Sequence, residues 1–214
     1  MSNYIDITEV YIDLNELRYL EGKYDCIPSL LEEGSNTEIT KTVLKYRKAY
    51  KDENKLYTKA LKTKKYNDAT KHANNMKTIS GKMKTELSHI ADMYSIEPVI
   101  GTCLSVILSC FEFIIPSLLF ASKFAIKRVP VAGGIIVAGI NAGQKYAGVE
   151  DETKQIVNTS KNTIQDIKDY QKDASLDLDK VNGYKVKMLN YCNQLDKNAD
   201  YLIKMVKVNK ILDS

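Results

Sequence analysis

The sequence predicts an all-α protein, with long antiparallel helical arms of coiled-coil type and a central apolar helical hairpin. Three observations predict it. Apolar residues recur at steps of three and four through most of the chain, which is the spacing of one helix face. No stretch of useful length alternates apolar and polar residues as a half-buried strand would. Residues 98–149 hold two apolar runs joined by a short basic turn, and both flanks are long and polar.

Charge divides the chain of 214 residues into four segments. Residues 1–36 carry 8 acidic and 2 basic groups, residues 37–97 carry 7 and 14, residues 98–149 carry 1 and 4, and residues 150–214 carry 11 of each. The net charge of +4 therefore hides a polarised layout.

Segment 1–36 is an acidic helical unit. Ile7, Val10, Tyr11, Leu14, Leu17 and Leu20 fall on one helix face, and Gly22 can end the helix. Pro28 and Gly34 mark the connection that follows.

The basic arm 37–97 starts at good N-cap residues, Ser35, Asn36 and Thr37, and meets no proline or glycine until Gly81. Val43, Tyr46, Tyr50 and Tyr57 begin its stripe, and Met76, Ile79, Met83, Leu87 and Ile90 give a cleaner continuation. Lys64-Lys65 and Asn74-Asn75 interrupt the pattern and are candidate breaks. Unbroken, this arm is about 90 Å long at 1.5 Å per residue. Only one of its basic residues is arginine, Arg47. Bidentate recognition of phosphates and bases uses arginine, so no specific nucleic-acid binding is expected.

The hairpin 98–149 follows. Residues 99–122 are mostly apolar with Glu112 as the only charge, and a bilayer span needs about 20 mostly apolar residues. Pro116 lies four residues beyond Glu112. A carboxylate at this depth faces a pore, a partner or water, or stays protonated; the alternatives are an amphipathic interfacial helix with Glu112 on its wet side, or a helix kinked at Pro116. Lys123, Lys127 and Arg128 form the basic turn. In the second limb, Gly139 and Gly143 make a G-x-x-x-G pair, with Gly134 on a neighbouring small-residue face. Such faces let helices approach closely in lipid, or pack tightly on the first limb within one chain. The expected roles of Glu112, Pro116, Lys123, Lys127, Arg128, Gly134, Gly139 and Gly143 are membrane insertion and helix packing.

The arm 150–214 opens on Glu150-Asp151-Glu152, where the helix dipole favours negative charge. Ile156, Thr163, Ile167 and Tyr170 continue the stripe, a break is expected near Asn182-Gly183, and Leu189, Cys192, Leu195, Ala199, Leu202 and Met205 follow. The aspartates between 166 and 179 spread around a helix among lysines and read as a solvated face.

Catalytic, cofactor and metal sites are not expected. No H-E-x-x-H, C-x-x-C or G-x-S-x-G pattern occurs, and His72 and His89 stand apart in sequence from ligand-type neighbours. The four cysteines, Cys26, Cys103, Cys110 and Cys192, show no metal spacing and read as reduced, buried hydrophobes. No basic-then-apolar leader opens the sequence. The basic turn would lie in the cytoplasm by the positive-inside bias, which would leave the arms outside with nothing to export them. A protein that is soluble first, with its hairpin hidden, and inserts later satisfies both facts.

On the apolar hairpin 98–149 and its flanking arms, the layout resembles the α-helical pore-forming toxins of the haemolysin BL and cytolysin A type. The resemblance is architectural and implies a helical bundle that delivers a hairpin into a bilayer as an oligomer. A looser likeness is to phage virion proteins that enter a host envelope. The expected partners are a lipid bilayer and further copies or related helical subunits. The alternative expectation is a virion structural or scaffold protein with the hairpin buried between subunits.

Overall fold

The computed structural model describes residues 36–93, 97–126, 136–173 and 178–213. These form five α-helices: α1 Asn36–Lys62, α2 Tyr66–Met93, α3 Glu97–Ile126, α4 Ile136–Lys172 and α5 Leu178–Asp213. Among the described residues there is no strand. The acidic segment 1–35, the turn residues Lys127 and Arg128, and Gly134 lie outside the described residues.

Successive helices run up, down, up, down, up. In the basic arm, Tyr46 donates to Glu86 at 2.9 Å and His72 meets Glu53 at 2.7 Å, an antiparallel register between α1 and α2. The arm is thus two helices folded on each other, and not one rod. The reversal sits at Thr63–Lys65, where the sequence pattern was interrupted. Lys64 N–H bonds the Leu61 carbonyl, Lys65 N–H bonds the Ala60 carbonyl, and Lys64 has φ 58°. This is a Schellman ending with lysine in the left-handed position that glycine usually fills. Asn74-Asn75 do not break α2.

The C-terminal arm departs from expectation in the same way. α5 runs through Asn182-Gly183 without a break, held by Val181, Met188 and the residues beyond. The chain reverses earlier, between Lys172 and Leu178. The second limb of the apolar hairpin is not a separate helix either, because α4 carries on from Ile136 to Lys172.

α1, α2, α5 and α3 pack in a ring around one core, and α4 lies outside on α3 and α5. α2 and α5 are antiparallel, tied by Lys77–Asp200 at 2.7 Å and Lys185–Asp92 at 2.6 Å, with Ser80 donating to Asp196 between them. The expected stripes face inward: Val43, Tyr50, Tyr57, Met76, Met83, Leu87, Leu195, Leu202 and Met205 are buried. Tyr57 donates to the Leu202 carbonyl at 3.2 Å, whereas the buried Tyr50 hydroxyl has no hydrogen-bond partner.

The lysines of α1 fall on its opposite face. Lys41, Lys45, Lys48, Lys55, Lys59 and Lys62 are all exposed, at steps of three, four and seven. They are the solvated row that a helix packed on one side must leave outside.

Candidate functional site

Helix α3 is apolar nearly all round, and such a helix must be covered by protein or lipid. Its 27-residue stretch Val99–Ala125 is long and apolar enough to cross a membrane. Here it is a core helix, about two-thirds buried by the rest of the bundle. The first limb of the expected hairpin therefore does not stand apart from the arms but packs among them. α1, α5 and α4 cover three sides of α3, because the folded-back arms bring three apolar stripes around it.

Its hydroxyl groups are hidden with partners. Ser105 donates to the Gly101 carbonyl at 2.9 Å and Ser109 to the Ser105 carbonyl at 3.0 Å, both within the helix itself. Ser117 shares a hydrogen bond with Thr58 of α1 at 3.0 Å, and Ser122 accepts from Thr153 of α4 at 3.0 Å. Pro116 does not end the helix. Proline leaves its turn short of a backbone donor. Three residues earlier, the Asn54 amide of α1 donates to the Phe113 carbonyl at 2.7 Å, which ties α1 to α3 next to the Glu112 carbonyl whose helix donor the proline removes.

The fourth side of α3 is open, between α1 and α4. Glu112, Pro116 and Lys123 share this edge, so the structure brings together three of the predicted site residues. Leu119 lies between them at 37% exposure. Phe113, Phe120 and Phe124 are half-buried beside them, the last two stacked at 5.4 Å. Glu112 is thus on the wet side of α3, 3.8 Å from Lys168 of α4. Gly139 and Gly143 lie in α4, in a stretch whose side-chain surroundings are outside the described residues.

The cover, α4, is held in two ways. Val157, Ile167 and Tyr170 bury against the core. Its seam with α5 is mainly a row of polar contacts, with one aromatic contact, Tyr170 against the Tyr184 ring at 4.5 Å. Thr153 bonds Tyr201, Asn198 donates to Ser160 at 2.9 Å, and Thr163 donates to Gln194 at 2.8 Å. At the far end Asp166 accepts from Lys187 at 3.0 Å, Tyr184 at 3.1 Å and Tyr191. Burial pushes the Asp166 carboxyl upward, but the Tyr191, Lys187 and Tyr184 hydrogen bonds outweigh it and hold it below the ordinary carboxylate value. Beside this row, a cleft of about 500 Å³ runs between α4 and α5, lined by Ile156, Gln194, Asn198 and Tyr201 among others. The row of Thr153, Ser160 and Thr163 was visible in the sequence as hydroxyl residues at steps of seven and three. It was not recognised as a seam, because a hydroxyl on a helix stripe also suits a solvated edge.

Cys103 and Cys110 of α3 and Cys192 of α5 are buried in the core. Burial first, and Asp196 nearby, push the Cys192 thiol up to about 12. His72 pairs with Glu53, across the α1–α2 turn. Among the described residues no three His, Cys, Asp or Glu side chains gather as a metal-binding group.

No family model matches the sequence, no curated protein is similar to it, and no solved structure matches it.

Proposed function

We propose that this chain is a non-enzymatic, membrane-active helical protein that stores a bilayer-spanning helix inside a soluble bundle and delivers it with α4 as a hairpin. The observation that carries the reading is the combination of an apolar α3 with a cover whose seam to α5 is polar. Peeling α4 from α5 exposes hydroxyl, amide and carboxylate groups that water takes up at little net cost. Parting α3 from α1 and α5 exposes apolar surface that only lipid takes up cheaply. Ser105 and Ser109 already bond within their own helix, so they enter hydrocarbon satisfied. Glu112 and Lys168 enter or stay at the surface as a pair. Close contact at Gly139 and Gly143 then serves association of several copies in the bilayer.

The test is release of a trapped dye from liposomes by the intact chain. Release is expected, and replacing Gly139 and Gly143 by leucine should cut it at least severalfold.

The burial of α3 also favours a second reading, a soluble structural or scaffold bundle that never meets lipid. Flotation with liposomes decides between them. Protein that stays at the bottom of the gradient, releases no dye and elutes as a large soluble assembly removes the membrane reading.

A further inference from the structure

The open edge of α3 has a basic border on each side. On the α1 side the two helices are in register: Asn54 bonds Phe113, Thr58 bonds Ser117, and Lys51 lies over the Phe113 ring at 5.5 Å. Lys48, Lys55, Lys59 and Lys62 therefore run along this border, exposed. On the α4 side, Lys154, Lys161 and Lys168 recur every seven residues, and Lys168 reaches Glu112 on the edge itself. Between the two rows lie Pro116 and Leu119, exposed, and Phe120 and Phe124, half-buried. The acidic groups on this face are Asp52, Glu112 and Glu150. Glu112 faces Lys168, and Glu150 pairs with Lys154 at 2.9 Å.

We infer that this face, the open edge of α3 between the α1 and α4 lysine rows, docks the folded bundle on an anionic lipid surface. An apolar strip bordered by lysines is the chemistry of an interfacial helix: the strip reaches the acyl boundary while the lysine heads meet the lipid phosphates. Lysine rather than arginine suits this surface, since a charged interface attracts point charges and needs no bidentate geometry. The inference rests on the proposed function and names the face that meets the membrane before any helix is released.

The experiment uses the full chain with Ser160→Cys and Asn198→Cys. Those two side chains meet at 2.9 Å across the seam, so the oxidised pair can tie α4 to α5. Flotation is measured with phosphatidylcholine vesicles and with vesicles containing about one-third phosphatidylglycerol, the fraction at which clustered lysines respond strongly to surface charge. The locked protein is expected to float with anionic vesicles at least about tenfold better than with neutral ones, to lose this in high salt, and to release no dye.

Lys48→Glu with Lys55→Glu and Lys59→Glu should lower binding at least about tenfold, and Leu119→Ser severalfold. Lys71→Glu with Lys82→Glu and Lys197→Glu changes net charge equally on other faces and should lower it far less. Equal loss from both triple variants, equal binding to both vesicle types, or binding seen only in the reduced protein each overturn the inference. So does vesicle binding that emerges only after Asp6, Glu9, Asp13 and Glu16 are neutralised, which assigns the face to the chain's own acidic segment. Retardation of an oligonucleotide with no vesicle binding overturns it as well. Docking without dye release in the unlocked protein sinks the proposed function and leaves the docking face standing.

Discussion

At the scale of single residues, the chain spends conformational strain and polar burial where it turns and where it supports α3. Lys64 holds a backbone conformation that costs an L-residue about 1–2 kcal/mol, and glycine there avoids the cost. Its side chain recovers part of this by reaching Asp213 at 3.2 Å, in an exposed pair of small value. Lys64→Gly is therefore expected to stabilise the bundle by about 0.5–1 kcal/mol, read from urea unfolding. The break at Lys64-Lys65 was legible as a gap in the apolar stripe. That it is a full reversal was not, because the residue at the left-handed position is not the one that usually signals it. Asn54 was equally silent. It reads as a polar interruption of the α1 stripe until Phe113 is known to lie beside it.

Among the elements, α4 is the outer cover of α3. Its clasp on α5 ends at Asp166, whose folded carboxyl is held below its ordinary value. A depressed carboxylate contributes stability that is present above the unfolded value, about 3.9, and is lost as pH falls through the folded one. The clasp is thus intact at neutral pH and weakens below about pH 4. Asp166→Asn should loosen the 150–172 half of α4 by on the order of 1 kcal/mol at pH 7, modest because the carboxylate is partly exposed. The difference from the parent should shrink as pH falls from about 5 to 3, measured by hydrogen exchange of α4 amides. The helical spacing of α4 was legible. Its division into a more apolar face on α3 and a mainly polar face on α5 was not, since both partners had to be placed first.

For the molecule as a whole, the all-α class and the inward stripes were readable because period and composition report them directly. The arrangement was not. Two rods with a greasy tip and a folded ring with a greasy centre share the same stripes, and only the reversal points separate them. The three buried thiols now report on the centre. In a Cys26→Ser background, Cys103, Cys110 and Cys192 should resist a polar thiol reagent at pH 8, while the unfolded chain reacts fully. On anionic vesicles, Cys192 should become reactive as α3 departs from α5, while Cys103 and Cys110 pass from protein cover to lipid cover and stay protected. Mass spectrometry of the labelled sites reads this. Continued protection of all three marks a bundle that keeps its centre closed.

The five described helices make an odd number of passes, so the described path begins at one pole and ends at the other. Asn36 and Asp213 lie at opposite poles, and α1 alone spans about 40 Å between them. A donor and an acceptor dye placed at these two residues would bracket the bundle lengthwise. Their energy transfer would report any change in its length in real time, with neither fluorophore placed on α3 or α4.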